Sequence, residues 1–179
     1  MHLKIKIFII TFLAIGNFSF KDQDVDREIK MVRIGFYQAT QNSKKAKPLS
    51  IIIKNFKSKS SIIKAYEGAN MAILAKTRWS PFSAIRLVKK AVKMLALAVI
   101  QSPQNLEIRF IRFAVQKNIP SFLNLSKNIE EDKKFIIENI NSFNKNVLSN
   151  NMRNYILTFM MEQGGYNKEE KELIKKRLT

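Results

Sequence analysis

The chain has 179 residues, 46% of them hydrophobic, and 32 Lys or Arg against 14 Asp or Glu leave a net charge of +18. It has no Cys and a single His, His2. Those counts exclude disulfides, zinc sites built on Cys or His, and Ser-His-Asp or Cys-His nucleophiles from everything after residue 2.

One domain is expected at this length, with apolar content ample for an ordinary core. Gly and Pro are scarce, at five and four. No strand-like alternation is bounded by turn signals. The expected fold is therefore all-α, with about seven or eight helices in a single domain.

Residues 1–20 read as a secretory signal peptide. Lys4 and Lys6 supply the basic start and Ile7–Ile15 the apolar centre. Small residues place cleavage near positions 16–20. On that reading residues 21–179 form the helical domain, which is exported to the periplasm or secreted and has no transmembrane span once processed. Asp22, Asp24 and Asp26 alternate as in a calcium loop. Such a loop needs Gly after the third ligand and Glu at the twelfth position, where this chain has Arg27 and Arg33. The acids fit a helix N-terminus better, and the first helix after the leader is expected over Ile29–Thr40.

Gln41–Lys47 reads as a connection, and Pro48 starts a helix to about Phe56. Ser60 or Ser61 caps a helix over Ile62–Lys76, with Tyr66, Ala69 and Ile73 in its buried stripe. Ser80 caps the next helix and Pro81 takes its first position. From Ala84 to Val99 the apolar residues recur at helical spacing, and Arg86, Lys89, Lys90 and Lys93 fall opposite them. Pro103 breaks this helix and Asn105 caps the next. Leu106–Lys117 is apolar almost all round. Leu106, Phe110 and Phe113 share one face, while Ile108, Ile111 and Val115 take most of the rest. Only Arg109, Arg112 and Gln116 make a polar stripe, so neighbours should cover this helix on several sides.

Ser121–Lys127 reads as a loop. Asn128 caps a helix to about Ile140 or Phe143, with Glu130, Glu131 and Asp132 at its positive end. Ser149–Gln163 is another helix, stopped by Gly164-Gly165. Asn167-x-x-Glu170 is a capping box that opens a last, highly charged helix to Leu178.

Ala91, Leu95, Ala98 and Pro103 resemble the second helix of a tetratricopeptide repeat, which carries small, large and small residues and then Pro at those intervals. Ser61–Lys76 then resembles the first helix, with Gly68 and Met71 at its Gly-x-x-aromatic positions. The connection Thr77–Phe82 is longer than the motif's. Arg109 and Arg112 stand where a following repeat places apolar residues. The resemblance implies stacked antiparallel helix pairs with a concave surface that takes peptides or partner proteins. The run from Asn105 through Ile137 also resembles stretches of uncharacterised exported bacterial proteins.

No Gly-rich phosphate loop or dinucleotide fingerprint is present, so no cofactor is expected. Between Ile29 and Ile129 the sole acids are Glu67 and Glu107. Arg109 and Arg112 lie one turn apart on the most apolar helix, and a partly buried cation needs a hydrogen-bonded partner. One partner is internal, with Glu67 or Glu107 closing a structural ion pair. The other is an anionic ligand such as a peptide C-terminus. It would be held by Arg109, Arg112 and Gln116, in a groove walled by Trp79 and Phe82. The main functional expectation is a non-enzymatic helical scaffold of the cell envelope with a protein or peptide partner. A second is a basic binder of acidic polymers: envelope glycan, lipid headgroups or nucleic acid, the last disfavoured because aromatics and cations are not interleaved. A third is a glycan hydrolase working with carboxylates alone.

Overall fold

The computed structural model describes residues 23–140, 150–163 and 165–176. The expected leader and its cleavage site lie outside the described residues. The described elements are α1 (residues 23–41), α2 (Ala46–Lys54), α3 (Ser61–Lys76), α4 (Pro81–Gln101), α5 (Leu106–Lys117), α6 (Ile129–Asn139), α7 (Asn150–Gln163) and α8 (Lys168–Lys175), with short 3-10 turns at Ser43–Lys45 and Ser121–Leu123. No strand occurs among the described residues, and the fold class is all-α.

Local chemistry starts three of these helices. The Ser80 hydroxyl accepts from the Ser83 amide, with Pro81 behind it in the first turn. Asn105 accepts from the Ile108 amide. Asn167 and Glu170 exchange side-chain and backbone bonds in a complete capping box.

Three boundaries and two caps differ from expectation, the first of the caps being Ser60, which stands before α3 without a side-chain bond to the helix. α1 begins by residue 23, not 29, and takes Asp24 and Asp26 into its first turns, where Asp24 pairs with Arg27 at 3.1 Å. α2 begins at Ala46, two residues before Pro48; the first N–H groups of a helix have no partner inside it, so Pro fits there without loss. The link between α3 and α4 is only Thr77–Ser80, since Phe82 already belongs to α4. Asn128 makes no cap with its side chain, which is drawn instead to Gln116 and Glu131.

α3 and α4 pack along small residues. A Cβ on Gly68 would lie 3.2 Å from the Ala91 carbonyl oxygen and 3.2 Å from Leu95 Cγ. Ala91, Leu95 and Ala98 are fully buried on the facing side, while Arg86, Lys89, Lys90 and Lys93 are exposed. Overpacking such a seam forces helices apart at about 1–3 kcal/mol. Ala98→Phe is expected to lose that much in thermal unfolding, and Lys89→Ala to stay within about 0.5 kcal/mol. Equal losses would show that the wrong face has been assigned to the core.

Two cores flank α5. The first is built from α1 to α4 together with Ile108 and Ile111 of α5. The second joins Leu106, Phe110 and Phe113 of α5 to α6, α7, Tyr166 and α8. There the Phe159 ring meets Phe110 edge-on at 5.3 Å and Phe113 at 6.3 Å. Ile174 is buried in this core too, so α8 is anchored despite its charged sequence. A helix with two apolar faces thus has each of them occupied by a different layer. Among the described residues, no helix is long and apolar enough to cross a membrane.

Candidate functional site

The polar stripe of α5 lies between these layers. Arg109, Arg112 and Gln116 recur at three and four residues and so share one helix face. That face meets the start of α6. The Asp132 side chain is wholly buried there. Arg112 grips it through two bonds, Nε to Oδ2 at 2.6 Å and Nη2 to Oδ1 at 2.6 Å. Arg109 adds a third, Nη1 to Oδ1 at 3.0 Å.

Arg109 Nη1 also donates to Glu131, and Arg112 Nη2 stands 3.3 Å from the same carboxylate. Arg109 Nε donates to the Pro103 carbonyl at 2.9 Å, and its guanidinium lies 4.8 Å from the centre of the Phe135 ring. Burial opposes the charge on Arg109, but Glu131 and Asp132 outweigh it and raise the pKa. In return, the Arg109 hydrogen bond holds the Glu131 carboxyl below its usual value against the opposing effect of burial. Two cations and two anions close on one another, and the two-bond grip on Asp132 is the strongest geometry available to such a pair.

Gln116 completes the stripe as a clamp on the loop before α6. Its Oε1 accepts from the Asn128 amide at 2.9 Å, and its Nε2 donates to Asn128 Oδ1 at 3.3 Å. Its carbonyl accepts from Ser126 Oγ at 2.8 Å.

The partners of the arginine pair are therefore Glu131 and Asp132, in place of Glu67 or Glu107. Acids in the first turn of α6 favour the helix start by position alone, and that sufficient reason hid their second role. Glu107 faces the other way, into the first core. Its carboxylate accepts from Arg33 Nε at 2.8 Å and from the Tyr66 hydroxyl at 2.5 Å. The Glu107 hydrogen bond raises the Arg33 pKa. Burial, with Glu107 beside it, raises that of Tyr66. Glu67 has no ion-pair partner among the described residues. Trp79 and Phe82 are 92% and 86% exposed at the start of α4. Arg109 meets Pro103, beyond the other end of that 21-residue helix, roughly 30 Å away at ~1.5 Å per residue. The structure does not bring the two aromatics to the arginine pair.

Sequence reasoning also missed two tethers. Glu28, buried in α1, accepts from the amides of Lys57 and Ser58 at 2.8 and 3.0 Å and so fastens the turn after α2. Lys133 of α6 reaches Glu170 of α8 at 3.0 Å while its ammonium lies 4.5 Å from the Tyr166 ring centre. The one available signal was a scarcity of acids beside many cations, which makes each acid a candidate partner without saying for whom. Among the described residues, no group of three or more acidic or His side chains is arranged to hold a metal ion. Comparison with protein-family models, characterised proteins and solved structures finds no match to this chain.

Proposed function

We propose that the chain is a non-enzymatic helical scaffold of the bacterial cell envelope that docks a protein or peptide partner on α1. One observation carries the reading: an uncovered apolar strip. Met31, Ile34 and Tyr37 recur at three-residue spacing along α1 and are 46%, 61% and 60% exposed. Tyr155 of α7 borders the strip at 47% exposed, its phenol pushed up by burial and by the nearby Tyr37. Aromatic and aliphatic side chains together on one helix face are the usual anchor of a protein contact. The tetratricopeptide-like seam of α3 and α4 supports the scaffold reading, because paired helices present such faces rigidly. The order of residues 1–20 supports export.

The buried ionisable groups support a scaffold over an enzyme. Glu107, Asp132 and both arginines of α5 are committed to internal pairs. A depression lined by Lys168, Glu169, Glu172, Leu173 and Lys176 runs along α8 and its C-cap.

A photo-crosslinking side chain placed at Ile34 in the native cell should yield discrete protein adducts that one placed at Lys89 does not. Tyr37→Asp should remove them while thermal unfolding is unchanged. Adducts that are absent, or the same at both positions, would overturn the docking face. The recovered chain should begin after residues 16–20, and an intact Met1 would remove the export step.

A further inference from the structure

The outer face of α4 is as uncovered as the strip on α1 and chemically unlike it. At 100° per residue, Phe82, Leu97 and Ile100 fall on one helix stripe with Arg86, Lys89, Lys90 and Lys93, within about 100° of arc. Phe82, Leu97 and Ile100 are 86%, 48% and 73% exposed, and Trp79, just before the helix, is 92% exposed. From Glu67 to Glu107 the chain has six cations and no intervening acid. None of the four cations of α4 has an ion-pair partner among the described residues. The helix therefore carries unneutralised positive charge along its middle and bare apolar side chains at both ends.

We propose that this face seats the protein on an anionic lipid surface. α4 lies along the bilayer plane, its cations meet the headgroup charge, and Trp79 and Phe82 enter the interfacial layer beside them. An amphipathic helix with Lys and Arg among large apolar residues is suited to that position. Trp in particular prefers the headgroup region, where its ring is half wet. The aliphatic pair Leu97 and Ile100 favours lipid over nucleic acid, since neither has a π-face on which a base can stack. The contact is peripheral and does not depend on the partner proposed for α1.

Trp79 is the only Trp in the chain, so its fluorescence reports this spot alone. The full chain is mixed with vesicles of phosphatidylglycerol and phosphatidylcholine, or of phosphatidylcholine alone. With the anionic vesicles, Trp79 emission should move to shorter wavelength and be quenched by lipids brominated on the acyl chain. High salt should reverse both changes. Lys89→Glu with Lys93→Glu, at exposed positions, should weaken the effect about tenfold or more with unchanged thermal unfolding. Three results would overturn the proposal. Sedimentation with vesicles while Trp79 emission stays fixed would place the attachment elsewhere. An equal shift with neutral vesicles would remove the role of charge. Quenching by a single-stranded oligonucleotide with no response to anionic vesicles would assign the face to nucleic acid.

Discussion

Asp132→Ala is expected to lower unfolding free energy by about 3–5 kcal/mol, because it leaves two buried guanidiniums without their shared anion. Arg109 and Arg112 are 10% and 5% exposed at their side chains, so neither can turn to water in place of Asp132. Glu131, half exposed, can compensate only in part. At about 2–4 °C per kcal/mol for a chain of this size, the melting temperature should fall by roughly 6–20 °C. Arg112→Lys keeps the charge but not the two-bond grip, and should cost about 1.5–3 kcal/mol. Replacing Arg109, Arg112 and Asp132 together by Met, Leu and Leu should regain most of the loss, since an apolar cluster has no desolvation to repay. An Asp132→Ala protein that melts within about 2 °C of the parent would refute this account. The pH dependence has a definite sign. The folded-state pKa of Glu131 is depressed by Arg109. Its contribution is therefore present above the ordinary value and lost as pH falls below about 4. The stability gap between the parent and Glu131→Gln should close over that acid range.

Arg33→Ala should be about as damaging, at about 3–5 kcal/mol, because it strands the Glu107 carboxylate in the first core with only the Tyr66 hydroxyl to bond it. The reverse truncation is milder. Glu107→Gln removes the buried charge and keeps an acceptor for Tyr66, while Arg33, 35% exposed, can turn to solvent. Its cost should be about 1–2 kcal/mol. Urea unfolding of the two variants separates them by midpoint at constant slope. A Glu107→Gln loss as large as that of Arg33→Ala would mean that Arg33 is not free to reach water.

The two networks have opposite geometry on one helix. Glu107 points from α5 into the layer of α1 and α3, whereas Arg109 and Arg112 point into α6. Both sides of α5 thus pair charge across a helix boundary. A buried ion pair is weak support for stability but tolerates few alternative packings, since a shifted register leaves a charge unpaired. We infer that these contacts fix how the two layers meet across α5.

Much of the helical plan follows from residues close in sequence. Ser80-Pro81, Asn105 and the Asn167-Glu170 box start helices because each satisfies amides within the next turn. The two apolar faces of α5 follow from the spacing of six residues, and that spacing already implied cover on several sides. The seam of Gly68 with Ala91, Leu95 and Ala98 is likewise a matter of residue size at helical intervals. What tertiary structure alone decided is which charge meets which. Arg33 and Glu107 are 74 residues apart, and Arg112 and Asp132 are 20. Their meeting depends on how each helix is rotated and crossed against the next, which no local pattern encodes. The same reason explains Trp79 and Phe82. An apolar residue states a preference for burial, but whether another helix arrives to bury it is set by the packing of the whole chain.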